Sequence, residues 1–327
     1  MMLSQQQTIV SGKKSASVYT VEFITSELKI TITNSGDMMI NRTVLMSDAQ
    51  NFSAEQAINP YYTDSRTNTA KAQAEHDSIK SAFEQAGIKV LQVPSPATSQ
   101  DGVYTANWAL VRNNKAVLAR LPDVRKSEEA WAREKLTNLG IEVFTVPEGL
   151  KFSGQGDALA CGNYLFCGNG YRSDIEAQTF AAEKLGYTKI QLQTIPQRDE
   201  NGEPVINPVS GWADSFFYDI DLALSILKAP TDTDRGLIAY CPEAFTDESR
   251  KILADFTEVD KIELSLEEAQ NAFACNLVST GETVVMSAHA PLFTEKLREH
   301  GLKVITPEVS ELAKGGGYIR CTSLTIQ

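Results

Sequence analysis

"SAFEQAGIKVLQVP" (81–94) reads as the end of a helix, a glycine, and a short apolar strand. Gly87 sits just past the helical pattern, where a left-handed backbone is needed and a Cβ is costly. The same order of parts recurs in "KLTNLGIEVFTVP" (135–147), "AAEKLGYTKIQLQT" (181–194) and "KLREHGLKVITPE" (296–308), with Gly140, Gly186 and Gly301 in the equivalent place. A fifth copy, "ILADFTEVDKIELS" (252–265), lacks the glycine. Short apolar runs fill the gaps: "WALVR" (108–112), "AVLAR" (116–120), "ALACG" (158–162), "YLFCG" (164–168), "GLIAYCP" (236–242) and "TVVMSA" (283–288). Each unit is therefore two strands, a helix and a strand, repeating about every 50 residues. A small sheet cannot bury its own face and must stack on its neighbours. The spacing predicts an α/β fold of five ββαβ units closed into a ring, an α/β-propeller, with helices outside and strand ends facing a central channel. An open α/β sheet is the alternative.

The chain has 327 residues, 42% of them hydrophobic and 22% charged, with a net charge of −12. These values fit a large globular core, and the acidic balance without a Lys/Arg-rich run argues against nucleic acid or anionic membrane as partner. A cationic ligand is the easier guest. No run of about 18 apolar residues predicts a membrane span. "MMLSQQQTIVSGKK" (1–14) has no apolar signal core, and five scattered cysteines give no zinc spacing, so a cytoplasmic protein with reduced thiols is expected. With three histidines, a His-rich metal site is not expected. Residues 1–40 alternate apolar and polar positions over "SVYTVEFITSELKITITNSGDMMI" (17–40) and read as a β-hairpin extension, leaving 41–327 as one domain. The sequence leaves a homo-oligomer open.

"GGGYIRC" (315–321) places three glycines ahead of a cysteine on a final strand, "RCTSLTI". Glycines let a backbone turn tightly or approach another group closely. Cys321 is then a nucleophile aimed into the channel, or a small buried hydrophobe. Cys161, Cys167, Cys241 and Cys275 lie within apolar patterns and read as core residues.

Seven segments in order carry a family resemblance: "TVLMSDAQNFSAEQAINP" (43–60), "DGVYTANWALV" (101–111), "FSGQGDAL" (152–159), "GNGYRSD" (168–174), "FFYDIDLALSIL" (216–227), "FACNLVSTGETVVM" (273–286) and "GGGYIRCTSL" (315–324). From about Thr43 onward the chain resembles the pentein superfamily of guanidino-modifying enzymes: the arginine deiminases, dimethylarginine dimethylaminohydrolases and amidinotransferases. The resemblance implies a five-unit α/β-propeller and a small guanidino substrate, with no cofactor and no metal. It implies attack by a cysteine thiolate on the guanidinium carbon, giving a covalent amidino-thioester that water or an amine resolves. It makes Cys321 the nucleophile and Asp157 a guanidinium grip, where a plain turn aspartate is the other reading. Asp101 and Asn107 match substrate-holding positions, although Gln100 stands where a proline usually precedes the aspartate. Arg172 and Arg125 match arginines that pair with a substrate carboxylate, and for Arg125 a solvated helix-start arginine is an equal reading.

Two positions depart from the family pattern. Ser153 of "FSGQGD" stands where a guanidinium-binding glutamate is expected, and Asp219 of "YDID" stands where the catalytic histidine is expected; Asp221 keeps the later aspartate. A cationic histidine would stabilise a thiolate, whereas an aspartate repels it. Asp219 would need burial to serve as an acid/base near neutral pH. His289, at a strand end, is the one histidine placed to substitute; His76 and His300 read as solvated. Two readings follow: a cysteine-dependent hydrolase or amidinotransferase with Asp219 as altered acid/base, or a catalytically inactive pseudoenzyme that keeps a pocket for a small cation.

Overall fold

The helix–glycine–strand segments each deliver a strand to a separate three-stranded sheet. The computed structural model describes residues 18–24, 27–33, 39–62 and 66–327. Near the N-terminus β1 (Val18–Ile24) and β2 (Glu27–Thr33) pair antiparallel, with Ile24 opposite Glu27. The expected hairpin therefore connects after Ile24; the turn-like "NSGD" (34–37) lies outside the described residues.

The first unit contains β3 (Thr43–Met46), α1 (Thr69–Gln85) and β4 (Lys89–Gln92). The second is β5 (Ala109–Arg112), β6 (Lys115–Leu118), α2 (Ser127–Asn138) and β7 (Glu142–Thr145). The third is β8 (Ala158–Cys161), β9 (Tyr164–Cys167), α3 (Ile175–Leu185) and β10 (Thr188–Gln191). The fourth is β11 (Leu224–Lys228), β12 (Gly236–Tyr240), α4 (Asp247–Asp255) and β13 (Val259–Glu263). A short α5 (Leu266–Asn271) leads to the fifth: β14 (Val278–Ser279), β15 (Thr283–Val285), α6 (Pro291–Glu299) and β16 (Lys303–Ile305). The last strand, β17 (Leu324–Thr325), returns to the first unit and pairs antiparallel with β3.

Each unit thus has the same ladder: two antiparallel strands, a helical crossover, and a third strand parallel to the second. The first strand of a unit is the one that meets other units. β17 contacts β5, and β11 contacts both β8 and β14. The α/β fold of five repeated units is consistent with the five-unit α/β-propeller, the C-terminal strand completing the first sheet. Burial falls outward: β3 and β12 are buried throughout, while the third strands β4, β7 and β16 are half exposed. Strands covered on both faces read as continuous apolar runs, and the outer ones alternate. The repeat glycines take left-handed backbone as expected, with φ of 86°, 76°, 70° and 77° at Gly87, Gly140, Gly186 and Gly301. Among the described residues, no helix is long and apolar enough to cross a membrane.

One expectation fails. His76 is fully buried rather than solvated, and neither ring nitrogen has a hydrogen-bond partner. Its spacing from Ala72, Ile79 and Phe83 puts it on the core face of α1. Burial pushes its pKa down to about 4, so the ring stays neutral.

Candidate active site

Tight segments lead into the inner strands and meet at one end of the ring. The turns Thr105–Trp108, Gly154–Gly156 and Ile220–Leu222 precede β5, β8 and β11, and the middle one touches the other two. Asn276 precedes β14, and Cys321 precedes β17. The ring therefore gathers the polar residues just ahead of five inner strands, although they are scattered over the whole sequence.

Cys321 is 2% exposed. Its thiol lies 3.6 Å from Asp221 Oδ2, and Asn276 Nδ2 donates to the sulfur at 3.2 Å. The Cys321 backbone N–H donates to Asn276 Oδ1 at 3.1 Å, so one amide fixes both ends of the residue. The preceding glycines are required by close packing: a Cβ at Gly315 or Gly317 would collide with the Tyr104 side chain, and one at Gly316 with Asn59. Burial raises the thiol pKa well above its ordinary value, and Asp221 raises it further.

Asp221 belongs to a group of three buried aspartates: Asp219 also acts on the thiol, and Asp157 interacts with Asp219 and Asp221. Asp157 Oδ1 accepts from Ile220 N–H at 3.0 Å, and Asp219 Oδ2 accepts from Asn107 Nδ2 at 2.8 Å. Asp157 Oδ2, Asp219 Oδ1 and Asp221 Oδ1 are buried without a hydrogen-bond partner. Gly156 makes room for the group, since a Cβ there would overlap Asn107 and Asp219. Burial raises all three carboxyls, and Asp219 raises Asp157 and Asp221 further. Asp219 itself is drawn back by Arg172. An unpaired buried carboxylate is costly, and three together favour either shared protons or a cation between them.

The other expected residues divide. Ser153 Oγ and carbonyl both accept from Asn107 Nδ2, at 2.9 and 3.1 Å, so Ser153 helps aim Asn107 at Asp219. Asp101 is buried, and its Oδ1 accepts from the Tyr62 hydroxyl at 2.6 Å. Burial lifts its pKa to about 6 against the opposing pull of Arg125. Arg172 stacks 4.1 Å over the Tyr218 ring and donates to Ile58 O at 2.8 Å. For Arg125 the solvated reading fails. The residue is 2% exposed and grips Glu128 through two bonds of 2.8 and 2.7 Å, and its Nη1 donates to Asn107 Oδ1 at 2.9 Å. It positions Asn107 from behind. His289 does not substitute for the missing histidine; its side chain is 59% exposed and meets Glu308 at 3.3 Å. Cys161, Cys167, Cys241 and Cys275 are buried, as expected of core cysteines.

One end of the site is covered by aromatic side chains. Tyr61 packs against Phe216, Tyr218 and Phe273, and its buried hydroxyl has no partner. On another side lies a cavity of about 850 Å³, lined among others by Asp221, Cys275, Arg320 and Ser225, and reaching the exposed turn Asn113–Asn114. Arg320 Nη2 donates to Gln155 Oε1 at 2.8 Å beside it. Sequence reasoning missed Asn276, Arg320 and the contact of Asp221 with the thiol. The signal for Asn276 was its place: a polar residue just ahead of an inner strand, as at Asn107 and Asp157.

Comparison with known proteins agrees with this fold. A family model for eukaryotic N,N dimethylarginine dimethylhydrolase matches residues 43–205, and one for arginine deiminase matches 246–327. The chain is 28% identical over 287 residues to the N(G),N(G)-dimethylarginine dimethylaminohydrolase of Mycobacterium tuberculosis, covering 87% of this chain and 86% of that one. It is 26% identical over 288 residues to the bifunctional arginine dihydrolase/ornithine cyclodeaminase ArgZ of Synechocystis, covering 86% of this chain but 37% of that enzyme's length. The chain thus spans little more than a third of the cyanobacterial relative. The crystal structure of the N-terminal domain of ArgZ bound to product superposes with a TM-score of 0.75 at 25% identity, covering 87% of this chain and 97% of that domain.

Proposed function

Because the chain belongs to the pentein superfamily, in its dimethylargininase and arginine deiminase-like branch, we propose that it hydrolyses the guanidino group of a small arginine-like compound through Cys321. The observation that carries this reading is a set of three interacting buried aspartates, one of them touching the thiol, each with an unpartnered oxygen. A planar guanidinium offers N–H donors in several directions and one positive charge, which is what such a set lacks.

The substrate also answers the problem of the thiol. Alone, Cys321 is held neutral by burial and by Asp221. A guanidinium entering among Asp157, Asp219 and Asp221 brings the opposite charge, lowering the pKa of carboxyls and thiol together. Asp157 and Asp219 then grip the guanidinium while sulfur attacks its carbon, and Asn107, held by Arg125, keeps Asp219 in place. Asp219 takes over the charge that a glutamate at position 153 would supply. Arg172 and Asp101 lie toward the aromatic cover and suit the amino-acid end of the substrate. Water resolves the covalent amidino-thioester; an amine acceptor would make the same intermediate a transferase step.

The second reading, a pseudoenzyme that binds a small cation, is favoured by one observation: the described site contains no histidine. The two part on a substrate panel. Arginine, its methylated forms and agmatine are incubated with the protein and assayed for ureido products and released amine. Turnover of one of them, lost about 1,000-fold or more in Cys321→Ser, is expected. No product from any, with ligands still raising the melting temperature, selects the binder. In that case Asp219→His with Ser153→Glu should restore turnover.

A further inference from the structure

We propose that Asp221, rather than Asp219, is the acid–base partner of Cys321, and that the cavity behind it exchanges its protons with solvent. This deepens the guanidino reading above and rests on it. Among the described residues Asp221 is the carboxylate hydrogen-bonded to the sulfur, at 3.6 Å. Asn276 holds the thiol from another direction at 3.2 Å. Asp219, which occupies the place of the expected histidine, instead has Oδ2 committed to Asn107 at 2.8 Å.

The two aspartates also differ in access. Asp221 lines the cavity of about 850 Å³ that reaches exposed Asn113 and Asn114, whereas Asp219 and Cys321 do not line it. Asp221 Oδ1 has no partner, and neither does the buried hydroxyl of Ser225, which lines the same cavity. One residue thus touches the thiol with one oxygen and keeps the other uncommitted beside a route to solvent. The ionisable groups that interact with it are Asp157, Asp219, Tyr218, Cys275, Arg320 and Cys321. Burial and Asp219 keep its carboxyl more basic than usual, while Arg320 and hydrogen bonds with Cys321 and Asn276 pull it back.

The proton balance closes through this pair together with exchange to solvent. As the S–C bond forms, the thiol proton passes to Asp221 Oδ2. As the C–N bond breaks, that proton goes to the departing nitrogen, which leaves as a neutral amine. In the second half, a water proton passes to Asp221 while the O–C bond forms. The C–S bond then breaks, and the proton returns to sulfur. Protons taken up or lost by the product equilibrate through the cavity.

The test compares Asp221→Asn with Asp219→Asn in the full chain. Alkylation of Cys321 by iodoacetamide is followed against pH by peptide mass spectrometry, which needs no turnover. Removing the adjacent carboxylate should move the alkylation midpoint down by about one pH unit or more in Asp221→Asn and by much less in Asp219→Asn. On whichever substrate the wild type turns over, Asp221→Asn should lower kcat about 100-fold with little change in KM, and the acid limb of the pH–rate profile should vanish. Asp219→Asn should mainly raise KM. A more reactive thiol with slower turnover is a pairing that a merely structural role would not produce. Equal alkylation shifts in the two variants, or kcat falling only in Asp219→Asn, overturns the assignment. Wild-type inactivity alongside an Asp221-specific alkylation shift removes the guanidino reading and leaves the proton pairing standing.

Discussion

Two buried charge clusters lie within one hydrogen bond of each other and are built on opposite terms. Around Arg125, Glu128 accepts twice from the guanidinium, once from Trp108 Nε1 at 3.1 Å and once from Ser99 at 2.5 Å. Every described oxygen of that carboxylate is used. Around Cys321, three aspartates each leave an oxygen unused. Asn107 joins the two clusters, accepting from Arg125 and donating to Asp219. The first cluster is complete without a guest and so acts as a support. The second leaves oxygens open that shared protons or a cation would complete, as the proposed function requires of a receptor. A buried charge by itself signals neither; the state of its hydrogen-bond ledger does.

The contrast breaks first at Glu128. Glu128→Ala leaves a buried guanidinium without its bidentate partner and should destabilise the fold by about 3–5 kcal/mol in urea denaturation. A loss below about 1 kcal/mol would mean that the support is not one. Ligand binding sharpens the other side. A guanidino ligand present at about 100 times its Kd should stabilise the native state by about 2.7 kcal/mol, whereas its neutral ureido analogue should give a much smaller shift. Equal shifts for the two would deny that charge is what the aspartates select.

The pH dependence comes next. Asp157, Asp219 and Asp221 have raised folded-state pKa values, and Asp101 is lifted to about 6. Each then binds its proton more tightly when folded. The stability this contributes is present below the ordinary carboxylate range and is lost as pH rises through the folded values. The melting temperature of the unliganded protein should therefore fall between about pH 5 and pH 8. Asp221→Asn should flatten that slope and raise the melting temperature at pH 8 by roughly 2–4 °C. A melting temperature that climbs over this interval would contradict the raised values. The smallest effect is a control remote from both clusters. Gly186→Ala meets no atom within 4 Å at its new Cβ, so it should cost only the left-handed backbone, about 1 kcal/mol, without altering the pH slope.

The units were legible because their grammar is local. A helix end, a left-handed glycine and an apolar strand occupy about a dozen neighbouring residues, and each part has its own sequence signature. The site was legible in part, because the family motifs marked Cys321, Asp157 and Asn107. What local pattern could not supply was partnership across the ring. The burial of Arg125 was invisible because its partner Glu128, three positions on, is turned inward only by the folding of α2. His76 looked solvated because its charged neighbours hid the 72–76–79–83 spacing. That Asp221 rather than Asp219 meets the sulfur was not legible, because sequence order says nothing about which of two alternating carboxylates meets a sulfur 100 positions away.

The closing strand has a consequence for assembly. Thr43 and Gln327, 284 positions apart, sit side by side where β17 completes the first sheet. The opening blade is therefore the last to be finished, and the segment that finishes it carries Cys321 just ahead of β17. Sealing the circle and assembling this cluster are one event: a chain caught with its circle open also holds the Cys321 sulfur away from Asp221 and Asn276.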